Sequence, residues 1–252
     1  MDERFYFLSD THFTYHRIGE AEKKKRQRFL AFLRSIHGSR GLFLVGDIFD
    51  FWFEYGSTIP KYYHDILDGL YALRKSGTYI YITGGNHDYW LGRYISEHLG
   101  CTILPPLSTH TLQGRTITLT HGDMLLPGDY GYKALKAFIR SKPVITVARL
   151  VHPDILFAIA RRFSKVSKSI THKKTVQSAR TLSGLAERSF FRWGNDVFVM
   201  GHIHYPQLVQ FNEKVFVILG DWEVHSSYLR LDGGKFTLEF YGSEEKTLIE
   251  NR

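Results

Sequence analysis

Residues 41–50 read Gly-Leu-Phe-Leu-Val-Gly-Asp47-Ile-Phe-Asp50, an apolar run of strand length that stops at a glycine and delivers two carboxylates three positions apart. A short apolar run bounded by a turn signal reads as a buried strand. The same grammar recurs on both sides. Residues 4–8 run into Ser9-Asp10-Thr11-His12, and residues 78–83 into Gly84-Gly85-Asn86-His87-Asp88. Residues 115–120 end at His121-Gly122-Asp123, and residues 197–200 at Gly201-His202-Ile203-His204. Helical periodicity fills the gaps between the first three strands. It covers 19–36, where Phe29, Phe32, Leu33 and Ile36 share a face, and 60–76, which opens on Pro60. This alternation predicts an α/β fold with a mainly parallel sheet whose strand ends line one crevice.

The five polar clusters hold the residue types that a pair of divalent cations requires. Two ions roughly 3.5–4 Å apart share a carboxylate and take further ligands from neutral oxygens and imidazoles. An Asp at a strand end supplies a bridge, an Asn a carbonyl oxygen, and the two histidines of Gly-His-x-His one imidazole for each ion. A lone Asp-x-His arises by chance, and a lone Gly-Asp is ordinarily a turn. Five such clusters, each after a strand, are not what core packing produces. Oxygen and imidazole ligands without thiolate suit Mn²⁺, Fe²⁺ or Zn²⁺.

Beyond Asp123 the grain changes. Three helices are expected, over 130–140, 144–163 and 165–192, broken near Pro143 and Phe163. Residues 124–195 hold 14 Lys/Arg against three acids, an excess of +11, so the remainder of a chain of net charge +8 carries −3. Apolar stripes run through the same segment, among them Leu135, Phe138 and Ile139, then Val147 and Leu150, then Ile155 and Ile159. A basic, amphipathic insertion of this kind suits a lipid-handling lid within one domain spanning 1–252, and a peripheral contact with an anionic membrane. The plainer reading is helix core with a solvated charged face. Residues 144–163 are not a membrane span, because Arg149, His152, Asp154, Arg161 and Arg162 interrupt them. The tail, 207–241, alternates apolar and polar residues and turns at Asn212-Glu213 and Asp232-Gly233-Gly234, which predicts antiparallel hairpins. A single cysteine, Cys101, rules out an internal disulfide. The opening MDERFYFLSD lacks the apolar run of a signal peptide. A cytoplasmic location is expected.

The ordered set Asp-x-His, Gly-Asp-x-x-Asp, Gly-Asn-His-Asp, His-Gly-Asp and Gly-His-x-His resembles the calcineurin-like metallophosphoesterase superfamily over residues 10–204. The resemblance implies a four-layer α/β/β/α sandwich. It implies one ion held by Asp10, His12, Asp47 and His204 and a second by Asp47, Asn86, His121 and His202, with Asp47 shared and Mn²⁺ the favoured metal. Asp50 and Asp88 would orient their neighbours. The ions would bring the pKa of a water between them toward neutrality, and His87 would stabilise charge on the phosphoryl group or protonate the leaving group.

Two further stretches are similar to the UDP-2,3-diacylglucosamine pyrophosphatases of lipid A biosynthesis. One is the aromatic run Phe51-Trp-Phe-Glu-Tyr55; the other spans Gly128-Asp129-Tyr-Gly-Tyr132 and Arg161-Arg-Phe-Ser164-Lys165. That likeness implies a nucleotide-linked glycolipid substrate cut to UMP and lipid X on the cytoplasmic face of the inner membrane. It also implies substrate contacts from Asn86, His87, Asp129, Ser164, Lys165 and Lys168. The chain departs from the pattern at His87, where those enzymes often carry Arg, and at Leu219-Gly-Asp-Trp-Glu-Val224, where they carry Ala-Trp-His. Three other readings stay open: a nucleotide or cyclic-nucleotide phosphodiesterase acting on another phosphorylated small molecule, a nuclease, and a non-enzymatic scaffold on the same fold. The repair nucleases of the superfamily are usually longer, so no stable nucleic-acid partner is expected.

Overall fold

The computed structural model describes residues 2–16, 18–125, 130–171, 175–191, 194–242 and 249–251. Strand β1 (Phe5–Leu8) leads into helix α1 (Glu20–Ser35), β2 (Gly41–Val45) into α2 (His64–Lys75), and β3 (Tyr79–Thr83) into the short β4 (Thr102–Leu104). These four strands are parallel neighbours, with Leu8 beside Leu44 and Val45 beside Thr83. Their carboxyl ends are therefore level. Both faces of β1 and β2 are buried, as expected of strands covered on two sides. Tyr6, Leu8, Leu42, Leu44, Ile80 and Ile82 alternate onto the face covered by Phe29, Phe32 and Leu33 of α1 and by Ile66, Leu67, Leu70 and Leu73 of α2.

Residues one step out of phase, Phe5, Phe7, Phe43 and Val45, point the other way into a second core. There they meet a second sheet. Its first strands are β5 (Leu107–Leu112) and β6 (Arg115–Thr120), an antiparallel pair. Helices α3 (Tyr130–Ile139), α4 (Lys142–Leu150), α5 (Pro153–Thr171) and α6 (Thr175–Leu185) follow, then β7 (Val197–Met200) and the hairpin of β8 (Gln207–Phe211) and β9 (Lys214–Ile218). Strands β6, β7 and β9 lie parallel, with Thr120 beside Met200 and Met200 beside Ile218. The outer face of this sheet, including Phe198, Met200, Phe216 and Ile218, packs on Ala179 and Leu182 of α6. The layers are thus α/β/β/α, as the resemblance implied. Where the sheets meet, Phe43 is sandwiched between Phe7 (4.8 Å) and Tyr81 (4.5 Å).

Strand–helix alternation pointed to a mainly parallel sheet; each of the two sheets has a parallel centre extended by antiparallel strands. The last hairpin, β10 (Ser227–Asp232) with β11 (Lys235–Phe240), returns to pair antiparallel with β1, whereas the hairpin before it joins the second sheet. A short final strand, β12 (Ile249–Asn251), lies on β8. The periodicity of a hairpin identifies its two strands but carries nothing about which sheet edge they extend. The helix break expected at Phe163 is corrected. Helix α5 runs through that residue, and the break lies at Val151–His152, where Val151 is extended (ψ 136°). Proline disfavours the helical conformation in the residue before it and suits the first helical position, so Pro153 ends one helix and starts the next.

Helices α4 and α5 return onto loops of the first sheet. Tyr55 Oη donates to the Val151 carbonyl at 3.0 Å and Tyr15 Oη to that of Phe157 at 3.2 Å, while the Phe157 ring meets Phe51 and Tyr15. Their outer faces are bare. Phe138, Val147, Leu150 and Ile155 are each more than half exposed, so these stripes are not core. Among the described residues no helix is long and apolar enough to cross a membrane. Replacing Phe43 by alanine should empty this cross-strand stack on the face turned to the second sheet and cost about 3–5 kcal/mol. Urea unfolding would measure this, and a cost under about 1 kcal/mol would show that the core between the sheets does not depend on the stack.

Candidate metal centre

Each of the five polar clusters leaves its strand at the same rim. The turns that follow put Asp10 (φ +53°), His12 (+45°), Asp47 (+54°) and His202 (+66°) in the left-handed region. Side-chain-bearing residues adopt it at a cost of about 1 kcal/mol or more each, and such residues cluster at functional sites. Hydrogen bonds hold the strained loops to one another. Asp10 N–H donates to Gly46 O (3.1 Å) and His12 N–H to Asp47 O (3.0 Å). The His202 N–H donates to Asp10 Oδ2 (2.8 Å), which ties the second sheet to the first. Asp88, fully buried, accepts the N–H groups of Asp47, Ile48, Phe49 and Gly85 at 2.7–3.2 Å. Gly85 is irreplaceable by shape, since a Cβ there would overlap the Asp47 carboxylate.

The side chains so placed form three overlapping sets of donor atoms, each within 4.8 Å: Asp10, His12 and His204; His12, Asp47 and His87; Asp47, His121 and His202. His204 Nε2 lies 3.3 Å from Asp10 Oδ1, and His121 Nε2 lies 3.4 Å from Asp47 Oδ2. His12 Nε2 stands between the aspartates, 3.6 Å from Asp10 and 3.8 Å from Asp47. Asn86 Oδ1 is 3.3 Å from His121 Nε2. All seven side chains expected around the ions are brought together, with Asp47 common to two sets. His121 Nδ1 donates to Val45 O at 3.0 Å, which turns Nε2 toward Asp47. Asp50 Oδ1 faces His12 Nδ1 at 3.4 Å. His87 donates from Nδ1 to Asp50 O (2.9 Å), and its N–H donates to Asp47 Oδ1 (2.8 Å). Asp129 lies outside the described residues. Ser164, Lys165 and Lys168 lie on α5, with side chains outside those described.

Charge and orphaned atoms both ask for a cation here. Asp10 Oδ1 and both ring nitrogens of His12 are buried with no hydrogen-bond partner among the described residues, an arrangement that costs about 1–3 kcal/mol per group unless something fills it. Burial opposes ionisation of Asp10, yet the neighbouring imidazoles of His12 and His204 hold its carboxyl well below the usual range. Asp47 is likewise held low against its burial, by His121 and His87. Burial would lower His12, but Asp10 and Asp50 raise it to about 10; His121, also buried, is raised to about 9, chiefly by Asp47. His202 goes the other way, to about 3, through burial and the neighbouring His121. The pocket therefore draws positive charge, and its oxygen and imidazole donors fit divalent ions.

Three features at this rim escaped the sequence reading. Lys136 of α3, pushed down to about 7 by burial and by Arg140, contacts the Asp123 carboxylate. Arg140 donates to Gly85 O at 2.8 Å and lies 3.7 Å over the Tyr89 ring. A basic pair at i, i+4 was the available signal. After β9, buried Asp221 accepts from His225 Nδ1 at 2.5 Å, and the Trp222 N–H donates to Asp10 O. The signal there was Asp-x-x-x-His, which begins inside the stretch that departs from the family pattern and ends one residue past it.

Residues 3–206 match the family model described as calcineurin-like phosphoesterase. A UDP-2,3-diacylglucosamine hydrolase of Xanthomonas oryzae pv. oryzae is 32% identical over 247 residues, covering 92% of this chain and 97% of that protein. One from Pseudomonas paraeruginosa is 28% identical over 232 residues, covering 90% and 94%. A solved structure described as a novel archaeal phosphodiesterase is 12% identical, covering 94% of this chain and 99% of that one, with a TM-score of 0.47.

In the metal-free protein, the raised His12 and His121 contribute stability that is complete below their unfolded value near 6.5 and lost as pH climbs through about 9 and 10. A divalent ion must displace those protons. The melting temperature of chelator-treated protein should therefore fall from pH 6.5 to 10, and the rise produced by Mn²⁺ should grow over the same interval. Calorimetry with and without Mn²⁺ checks this; a metal-induced rise that does not change with pH would show that these histidines are not the groups displaced.

Proposed function

The chain belongs to the calcineurin-like phosphoesterase family and is a hydrolase of phosphorus esters or anhydrides; from that premise we propose that it cleaves UDP-2,3-diacylglucosamine at the diphosphate, releasing UMP and 2,3-diacylglucosamine 1-phosphate. The observation that carries this reading is the placement of α3–α5 beside the rim. Arg140 and Lys136 reach the loops that bear Asn86 and His121, while bare apolar residues such as Phe138 and Leu150 stand on the outer faces of α3 and α4. A nucleotide-linked glycolipid needs that combination, cationic where its diphosphate sits and apolar where its acyl chains run. Relatives that carry the name of this activity match the chain almost end to end.

In this reading Asp10, His12, Asp47 and His204 hold one divalent ion and Asp47, Asn86, His121 and His202 the other, with Mn²⁺ preferred over Fe²⁺ or Zn²⁺. Bound there, such ions supply Lewis-acid stabilisation of the phosphoryl oxygens and a nucleophilic water. Asp50 and Asp88 orient His12 and the Asp47 loop. His87, its Nδ1–H committed to the Asp50 carbonyl, presents its other ring edge to the substrate and supports the leaving group. Residues 124–195 serve as the lid, and Asp129, Ser164, Lys165 and Lys168 as further substrate contacts. The exposed apolar and basic faces of α3–α5 rest on the anionic cytoplasmic surface of the inner membrane, where the substrate resides. A broader phosphodiesterase activity is favoured by one observation, the imidazole of His87 in place of a guanidinium, since only the former releases a proton at neutral pH.

With Mn²⁺, kcat/KM for UDP-2,3-diacylglucosamine should exceed that for bis-p-nitrophenyl phosphate by at least about a hundredfold, because remote contacts of a large substrate are used in the transition state. UMP release and nitrophenolate absorbance give the two rates. A preference for the small diester would remove the glycolipid from the reading. Substituting His87→Ala should lower kcat by about 10²- to 10⁴-fold while both ions stay bound. Loss of an ion by that variant would make His87 a ligand instead.

A further inference from the structure

Helix α1 turns a buried cluster of charges against the loop that bears His12. Lys25 and Arg26 are both buried, a rare position for either residue. The Lys25 ammonium donates to the His12 carbonyl oxygen at 2.9 Å and pairs with Glu22 at 2.8 Å. Arg26 donates to the Thr14 carbonyl at 2.7 Å and pairs with Glu22 at 2.8 Å and Asp65 at 2.6 Å. Glu22 accepts the Thr14 N–H at 3.1 Å. Both cations also lie against the Phe13 ring, 5.3 and 5.6 Å from its centre. One face of α1, at spacings i, i+3 and i+4, thus grips three consecutive residues.

Packing alone does not account for these charges. Apolar side chains would fill the same space without the desolvation that buried ions incur. What charges add is direction, and direction is what this loop lacks on its own. His12 has a left-handed backbone, and its N–H already donates to Asp47 O. With Lys25 on its carbonyl, the peptide groups on both sides of His12 are held, which fixes the direction in which its side chain leaves the backbone.

We propose that Lys25, supported by Glu22 and Arg26, is a positioning residue for the ion held by Asp10, His12 and His204, and that it has no such role for the ion held by Asn86, His121 and His202. This rests on the two-ion reading above. Groups that orient a metal ligand from behind typically change affinity by roughly 10- to 100-fold.

The test is Mn²⁺ binding by calorimetry, with electron paramagnetic resonance to distinguish a coupled pair of ions from an isolated one. The wild-type chain should take up two ions. Lys25→Met should keep one and bind the other at least about tenfold more weakly, the coupled signal giving way to that of isolated Mn²⁺. Lys25→Arg, which retains charge and donors, should restore the pair. Should Lys25→Met fail to fold, the double variant Lys25→Met, Glu22→Gln removes the ion pair together, without stranding a buried carboxylate, and should show the same selective loss. A folded variant with lowered melting temperature but two ions at unchanged affinity would overturn the positioning role alone. A wild-type chain that takes up fewer than two ions would overturn the two-ion reading, and this role with it.

Discussion

Four backbone N–H groups, from Asp47, Ile48, Phe49 and Gly85, end on the carboxylate of Asp88, and the geometry of the rim follows from that convergence. The loops after β2 and β3 leave the sheet and keep only isolated bridges, Phe13 with Phe49 and Phe53 with Trp90. A buried acceptor with two oxygens lets both satisfy their donors at one point, which fixes Asp47 relative to Asn86 and His87. From Asp47 the constraint spreads. Its carbonyl accepts from His12, its carboxylate accepts from the N–H of His87, and its second oxygen faces His121 from the other sheet. The seam between the sheets is closed at the same level by His202 donating to Asp10.

This scaffold concentrates negative charge where water is excluded. Two aspartates, their carboxyls held low by the imidazoles around them, sit beside buried ring nitrogens that have no hydrogen-bond partner among the described residues. Unpartnered buried nitrogens of that kind are costly, and the left-handed residues add strain of their own. Both are tolerated because the two sheets beneath are packed through large aromatic and branched side chains on every face. Stability is generated in the layers and spent at the rim.

The helical segment obeys a different logic. Among the described residues, α3–α5 are anchored through Tyr15, Tyr55, Arg140 and Lys136, and each anchor reaches a loop near the rim. Among the described residues of α3–α5, Phe138, Val147, Leu150 and Ile155 stay exposed to solvent. A segment that was only structural would turn those faces inward against the sheet, as α1, α2 and α6 do. The difference separates helices that complete the sandwich from helices suited to a partner or a substrate.

Much of this was legible in the residues themselves. Runs such as Gly41–Val45 and Val197–Met200 announced buried strands through local composition, and the clusters following them announced the rim, because a strand's end is where its next polar residues must emerge. The +11 charge of residues 124–195 was likewise a matter of counting. What tertiary structure alone decided was pairing at long range. It set β10 and β11 on the first sheet and β8 and β9 on the second, placed Asp88 behind the loop of Asp47, and brought Lys25 under His12. Local periodicity reports which way a side chain faces; it holds no record of what meets it there, since that partner comes from another turn of the chain and is selected by packing and hydrogen-bond satisfaction across the whole molecule.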